Sequence, residues 1–112
     1  MSEHSLSIGN VELVSLTDGG MEPAPTDVFP DSTMDIWRSE FPEMLDDDGN
    51  IRLRLGSLAV RSAGKLIIVD TGMQFPDSSG TLLTDMAENG VDREAVNLVV
   101  TTHLHPDHVG WN

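Results

Sequence analysis

A chain of 112 residues with 19 acids, 6 bases and a formal charge of −13 lacks the positive surface needed to hold nucleic acid or an anionic membrane. It has no cysteine, which excludes a disulfide framework, a thiol nucleophile and thiolate metal ligands, and which fits a reducing compartment. No apolar run approaches the roughly 18 residues of a membrane span, and Met1-Ser2-Glu3-His4-Ser5 lacks the segments of a secretory signal, so a cytoplasmic protein is expected.

Leu6 and Ile8 alternate with polar neighbours, Gly9-Asn10 marks a turn, and Val11, Leu13 and Leu16 continue as a second strand. This pattern predicts an opening hairpin. Thr17-Asp18-Gly19-Gly20 is expected to end it as a turn. Residues 21–50 then change character. Pro23, Pro25, Pro30 and Pro42 interrupt the segment and acids cluster in it, so it reads as a long excursion. One short helix is expected over residues 33–41, where Met34, Trp37 and Phe41 share a face. That face either docks the excursion or presents Trp37 or Phe41 as an active-site lid. Asp46-Asp47-Asp48-Gly49-Asn50 fails the alternate-acid spacing of a calcium loop, because Met44 takes the first position, and reads as a solvated turn.

Leu53 and Leu55 alternate with Arg52 and Arg54, then the phase slips at Gly56-Ser57 before Leu58 and Val60. Such a slip predicts a bulge or a break. Ser62-Ala63-Gly64-Lys65 turns the chain into the apolar run Leu66-Ile67-Ile68-Val69, which suits a strand buried on both faces. Asp77, Ser78 and Ser79 are candidate caps for a helix over residues 81–89, with Leu82, Leu83, Met86 and Ala87 as its stripe and Asn89-Gly90 as its end. A further turn or short helix at residues 91–96 leads into the strand Asn97-Leu98-Val99-Val100-Thr101. Strand, helix, strand predicts parallel pairing with residues 66–69, and Asp70 and His103 then emerge at the same C-terminal edge.

Three of the four histidines fall in His103-Leu104-His105-Pro106-Asp107-His108. Imidazole and carboxylate are the usual zinc ligands in a cysteine-free site. In an extended segment His103 and His105 point to one side. Pro106 forces a bend that returns Asp107 and His108 toward the same place. His103 and His105 could serve one metal, and Asp107 and His108 a second about 3.5–4 Å away.

HLHPDHVG resembles the His-x-His-x-Asp-His signature of the metallo-β-lactamase superfamily, and Val69-Asp70-Thr71-Gly72 resembles its other N-terminal signature. The resemblance implies an α/β (α+β) fold, the N-terminal half of an αββα sandwich, with residues 1–112 as an incomplete domain carrying the excursion at about 21–50. It implies a hydrolase in which metal-bound hydroxide attacks an ester, lactone, amide or phosphoester of a small molecule. The metal ligands would be His103, His105, Asp107 and His108, and Asp107 would also orient water or move its proton. Asp70 would support the ligand loop from behind. Two zinc ions per complete site are implied, with manganese or iron also compatible. Gly110-Trp111 is similar to the branch holding lactonases and organophosphate-type hydrolases, and loops of the family would bring Asp18 near the substrate mouth. Two other readings stand beside this one. One is an iron-dependent redox member of the superfamily. The other is a non-catalytic metal-binding fragment, because the family's later ligands are absent from these residues.

Overall fold

The computed structural model describes residues 4–75 and 80–112. The alternating start forms the expected hairpin, β1 (Ser5–Ile8) antiparallel to β2 (Val11–Met21), with Ile8 opposite Val11. Two short helices follow, α1 (Pro25–Val28) and α2 (Met34–Glu40), and then a 3₁₀ turn at Pro42–Met44. Strands β3 (Leu53–Ser62) and β4 (Lys65–Val69) pair antiparallel around Ala63-Gly64. Helix α3 (Leu82–Glu88) and a 3₁₀ turn at Arg93–Ala95 lead to β5 (Leu98–Val100) and the single-turn helix α4 (Pro106–Val109). The strands form one sheet in the order β1-β2-β3-β4-β5. As predicted, β5 joins β4 in parallel, with Ile68 beside Val99 and Val69 beside Val100.

Two compact units are distinguished, residues 1–19 with 55–112, and Gly20–Arg54. In the first, Val14, Leu16, Ala59, Leu66, Ile68, Leu82, Met86 and Val91 form the core, with Leu83, Val96 and Trp111 packed against it. Leu82 and Met86 lie on the stripe read from the sequence, and each is nearly free of solvent. The expected caps Asp77, Ser78 and Ser79 lie outside the described residues. The second unit carries α1, α2 and the 3₁₀ turn. Thr33 caps α2 by accepting from Ile36 N–H, and Trp37 stacks between Phe29 and Phe41 at ring separations of 5.6 and 5.5 Å. The indole N–H of Trp37 donates to Ser32 Oγ at 2.8 Å. Asp46 closes its turn by accepting from Asp48 and Asn50 N–H, each at 2.9 Å.

Three expectations are corrected. Asp18 does not sit in a turn, because β2 runs on through Thr17-Asp18-Gly19-Gly20 to Met21. The local turn chemistry of Asp-Gly-Gly is overridden by long-range hydrogen bonds to the Asp18 carboxylate. The slip at Gly56-Ser57 is neither bulge nor break within a continuous β3. Leu55, Ser57 and Ala59 alternate inward, and Ser57 Oγ donates to the Asp70 carbonyl at 2.6 Å. A small polar residue on the buried face imitates a change of phase. Strand β4 is buried on one face only, through Leu66 and Ile68, while Ile67 and Val69 are half covered. Among the described residues, no helix is long and apolar enough to cross a membrane.

Candidate metal centre

Parallel pairing delivers the ends of β4 and β5 to one edge. Asp70 N–H donates to Val100 O at 2.8 Å, continuing the ladder one residue past β4. The chain then interleaves with α4. Thr71 N–H donates to His108 O, Gly110 N–H to Gly72 O, and Trp111 N–H to Thr71 O. Pro106 stands at the first position of α4 and His105 is extended before it, so the bend read from the sequence is one helical turn. At Gly110 the helix end lies directly on the Met73 backbone, leaving no room for a Cβ. Gly72 has φ of +66°, and a Cβ there would come 2.5 Å from Asp18 Cβ. Only glycine meets both demands.

Asp70 is 7% exposed and its own φ is +60°, a left-handed conformation that Asp tolerates better than most residues. Its Oδ1 accepts from Thr102 N–H at 2.8 Å, and its Oδ2 lies 2.7 Å from His108 Nδ1. The Thr102 hydroxyl reaches both carboxylate oxygens, at 3.0 and 2.8 Å. Burial opposes the charge, but the Thr102 amide, the His108 ring and the Thr102 hydroxyl together hold the carboxyl below its ordinary range. An ionised carboxylate only accepts, so His108 carries a proton on Nδ1.

The other ring atoms follow from this. His108 Nε2 faces Asp107 Oδ2 at 3.3 Å. The ring of His103 lies 3.9 Å from that of His108 and 4.6 Å from that of His105, centre to centre. The four predicted ligands are therefore neighbours. Their contacts are pairwise, and among the described residues no group of three or more acids and histidines is arranged to hold an ion. The donor chemistry nonetheless fits a divalent cation. With Nδ1 against Asp70, His108 places Nε2 3.3 Å from Asp107 Oδ2, an imidazole nitrogen beside a carboxylate oxygen, the donor types that a divalent cation takes.

Asp18 is the residue that local sequence reasoning missed. Fully buried, it accepts from Met73 N–H at 2.8 Å, Gln74 N–H at 2.9 Å, Leu82 N–H at 2.8 Å and the Trp111 indole at 3.0 Å. It thereby caps α3 from another strand, where Thr81 offers no side-chain cap. Burial raises its pKa, and the hydrogen bonds from Gln74, Leu82, Met73 and Trp111 outweigh that and lower it. No local pattern signals this role, because its partners lie 55 or more positions away.

Residues 57–112 match the family model for the metallo-beta-lactamase superfamily. The chain is 38% identical over 113 aligned residues to "Metallo-beta-lactamase domain-containing protein 1" of Mus musculus, covering 93% of this chain and 41% of that protein. Among solved structures it resembles AidC, described as a dizinc quorum-quenching lactonase in complex with a product, with TM-score 0.80 and 26% identity over 93% of this chain and 36% of that one. It also resembles AbOPH, described as a hydrolase in the beta lactamase superfamily, with TM-score 0.78 and 25% identity over 94% of this chain and 37% of that one. The chain thus spans well under half the length of each. From the two motifs, the interlocked edge that carries them and these matches, the chain belongs to the metallo-beta-lactamase superfamily.

Proposed function

We propose that this chain supplies the first part of the metal centre of a hydrolase acting on a small-molecule ester, lactone, amide or phosphoester. One observation carries the reading. His108 is gripped at Nδ1 by a buried carboxylate while its Nε2 faces Asp107. That is the geometry of a metal-ligating imidazole oriented from behind. His103 and His105 are the donors for one ion, and Asp107 with His108 for the other. Asp70 holds the ring of His108 and the main chain of Thr102. Asp107, partly exposed beside His108, is placed to hold or pass a proton at Oδ2. A bound zinc ion would supply Lewis acidity and bring the pKa of water toward neutrality. The dizinc lactonase and the hydrolase among the structural matches support hydrolysis over the other reactions of a metal site.

The test is to strip the protein with chelator, restore zinc, manganese or iron separately, and follow cleavage of a lactone, an aryl ester and a phosphotriester. Zinc-dependent turnover of at least one, lost in His108→Ala, is the expected result. Activity that persists in the stripped protein, or a centre that takes only iron and shows redox spectra, would defeat the proposal.

A further inference from the structure

The hydroxyl of Thr102 touches two groups, the Asp70 carboxylate and the His103 ring, and it has one proton to distribute. It lies 2.8 and 3.0 Å from the two oxygens of Asp70 and 2.9 Å from His103 Nδ1. The Asp70 carboxylate is ionised and has no proton to give, so the hydroxyl proton must point at it. Toward His103 the same oxygen can then only accept. His103 must therefore carry its ring proton on Nδ1, and its Nε2 is left with the lone pair. We infer that Thr102 is a positioning residue that transmits the acceptor character of Asp70 to His103, fixing the tautomer of a second imidazole that Asp70 does not touch. Resting on the metal-centre reading above, this makes one buried carboxylate the setter of two ligands. It acts directly on His108 Nδ1 and through one hydroxyl on His103 Nδ1.

The arrangement is specific to a hydroxyl. The Thr102 N–H to Asp70 Oδ1 bond belongs to the main chain and survives any side chain. Valine has the shape of threonine without the proton relay, and serine has the relay without the methyl group. Thr102→Val therefore keeps the main-chain anchor and removes the hydroxyl's contacts to Asp70 together with the link to His103.

The experiment compares wild type, Thr102→Val and Thr102→Ser in two measurements. Two-bond proton–nitrogen correlation spectra of the metal-free protein, labelled at histidine and recorded at mildly alkaline pH, report the His103 tautomer, with His103→Gln giving the assignment. Competition against a chromophoric chelator reports zinc affinity. Wild type and Thr102→Ser are expected to show His103 protonated at Nδ1. Thr102→Val is expected to show it shifted toward Nε2–H, with His108 unchanged and zinc held about tenfold more weakly, the low end for losing a ligand's supporting partner. An Nε2–H tautomer in wild type, or a valine variant unchanged in both measurements, overturns the inference. If the spectra follow expectation while none of the three proteins binds zinc, the metal-centre reading fails and the tautomer relay stands.

Discussion

Asp18 and Asp70 are the same residue type, both buried, both with the carboxyl held below its ordinary range, and they serve different clients. Asp18 collects the amides of Met73, Gln74 and Leu82 and the indole of Trp111, groups that the fold removes wholly or partly from water. Asp70 collects the amide and hydroxyl of Thr102 and the ring of His108, in a loop that projects three imidazoles at an open edge. Burial and electrostatics alone do not separate the two acids. The identity of the donors does. Main-chain amides have no alternative state for an acid to select, whereas an imidazole has two tautomers, so an acid beside it also makes a chemical choice.

The comparison can be broken first at Asp18. Asp18→Ala leaves the buried Leu82 N–H and three partly buried donors without an acceptor. At about 1–3 kcal/mol for the buried amide and less for the partly solvated donors, a net loss of about 2–4 kcal/mol is expected. Denaturant unfolding measures it, and a loss below about 1 kcal/mol would show that Asp18 is not the brace described here. Asp70→Asn is expected to act on chemistry more than on folding. Its amide nitrogen would face His108 and favour the tautomer with the proton on Nε2, which removes that nitrogen as a metal donor. Zinc affinity should fall about 10–100-fold while the folded fraction at room temperature is unchanged. Equal loss of stability and of zinc would erase the distinction between the two acids.

The smallest effect is the acid limb of stability. For both residues the folded pKa is below the ordinary value of 3.8, so their stabilisation is complete above it and is lost as pH falls through the lowered values. A melting temperature that is flat above about pH 5 and falls below about pH 4 is expected, with a shallower fall in Asp18→Asn. A fall that begins near neutrality would assign the acid sensitivity to other groups.

The first strands of the sheet were legible because their side chains alternate, the next from an unbroken apolar run, and the parallel pair because strand, helix and strand follow in order. The histidine-rich loop stood out because three imidazoles and a carboxylate fall within six positions. What escaped depended on distance along the chain. Ser57 looked like a lapse in the pattern because its inward hydroxyl serves a carbonyl 13 positions on. Asp18-Gly19-Gly20 carries every local mark of a turn, and only Met73, Gln74, Leu82 and Trp111 explain why it extends instead. Thr102 had no mark at all, since its importance arises from an acid 32 positions earlier.

The left-handed backbone of Asp70 limits what can ever replace it. Asparagine keeps the shape and tolerates φ of +60° but surrenders the charge, glycine fits the backbone and offers no side chain, and glutamate carries the charge on a longer stem and a less tolerant backbone. Each one-step departure from aspartate therefore sacrifices conformation or chemistry. A library randomised at this codon, screened separately for folding and for metal retention, should return overlapping survivors at one residue alone.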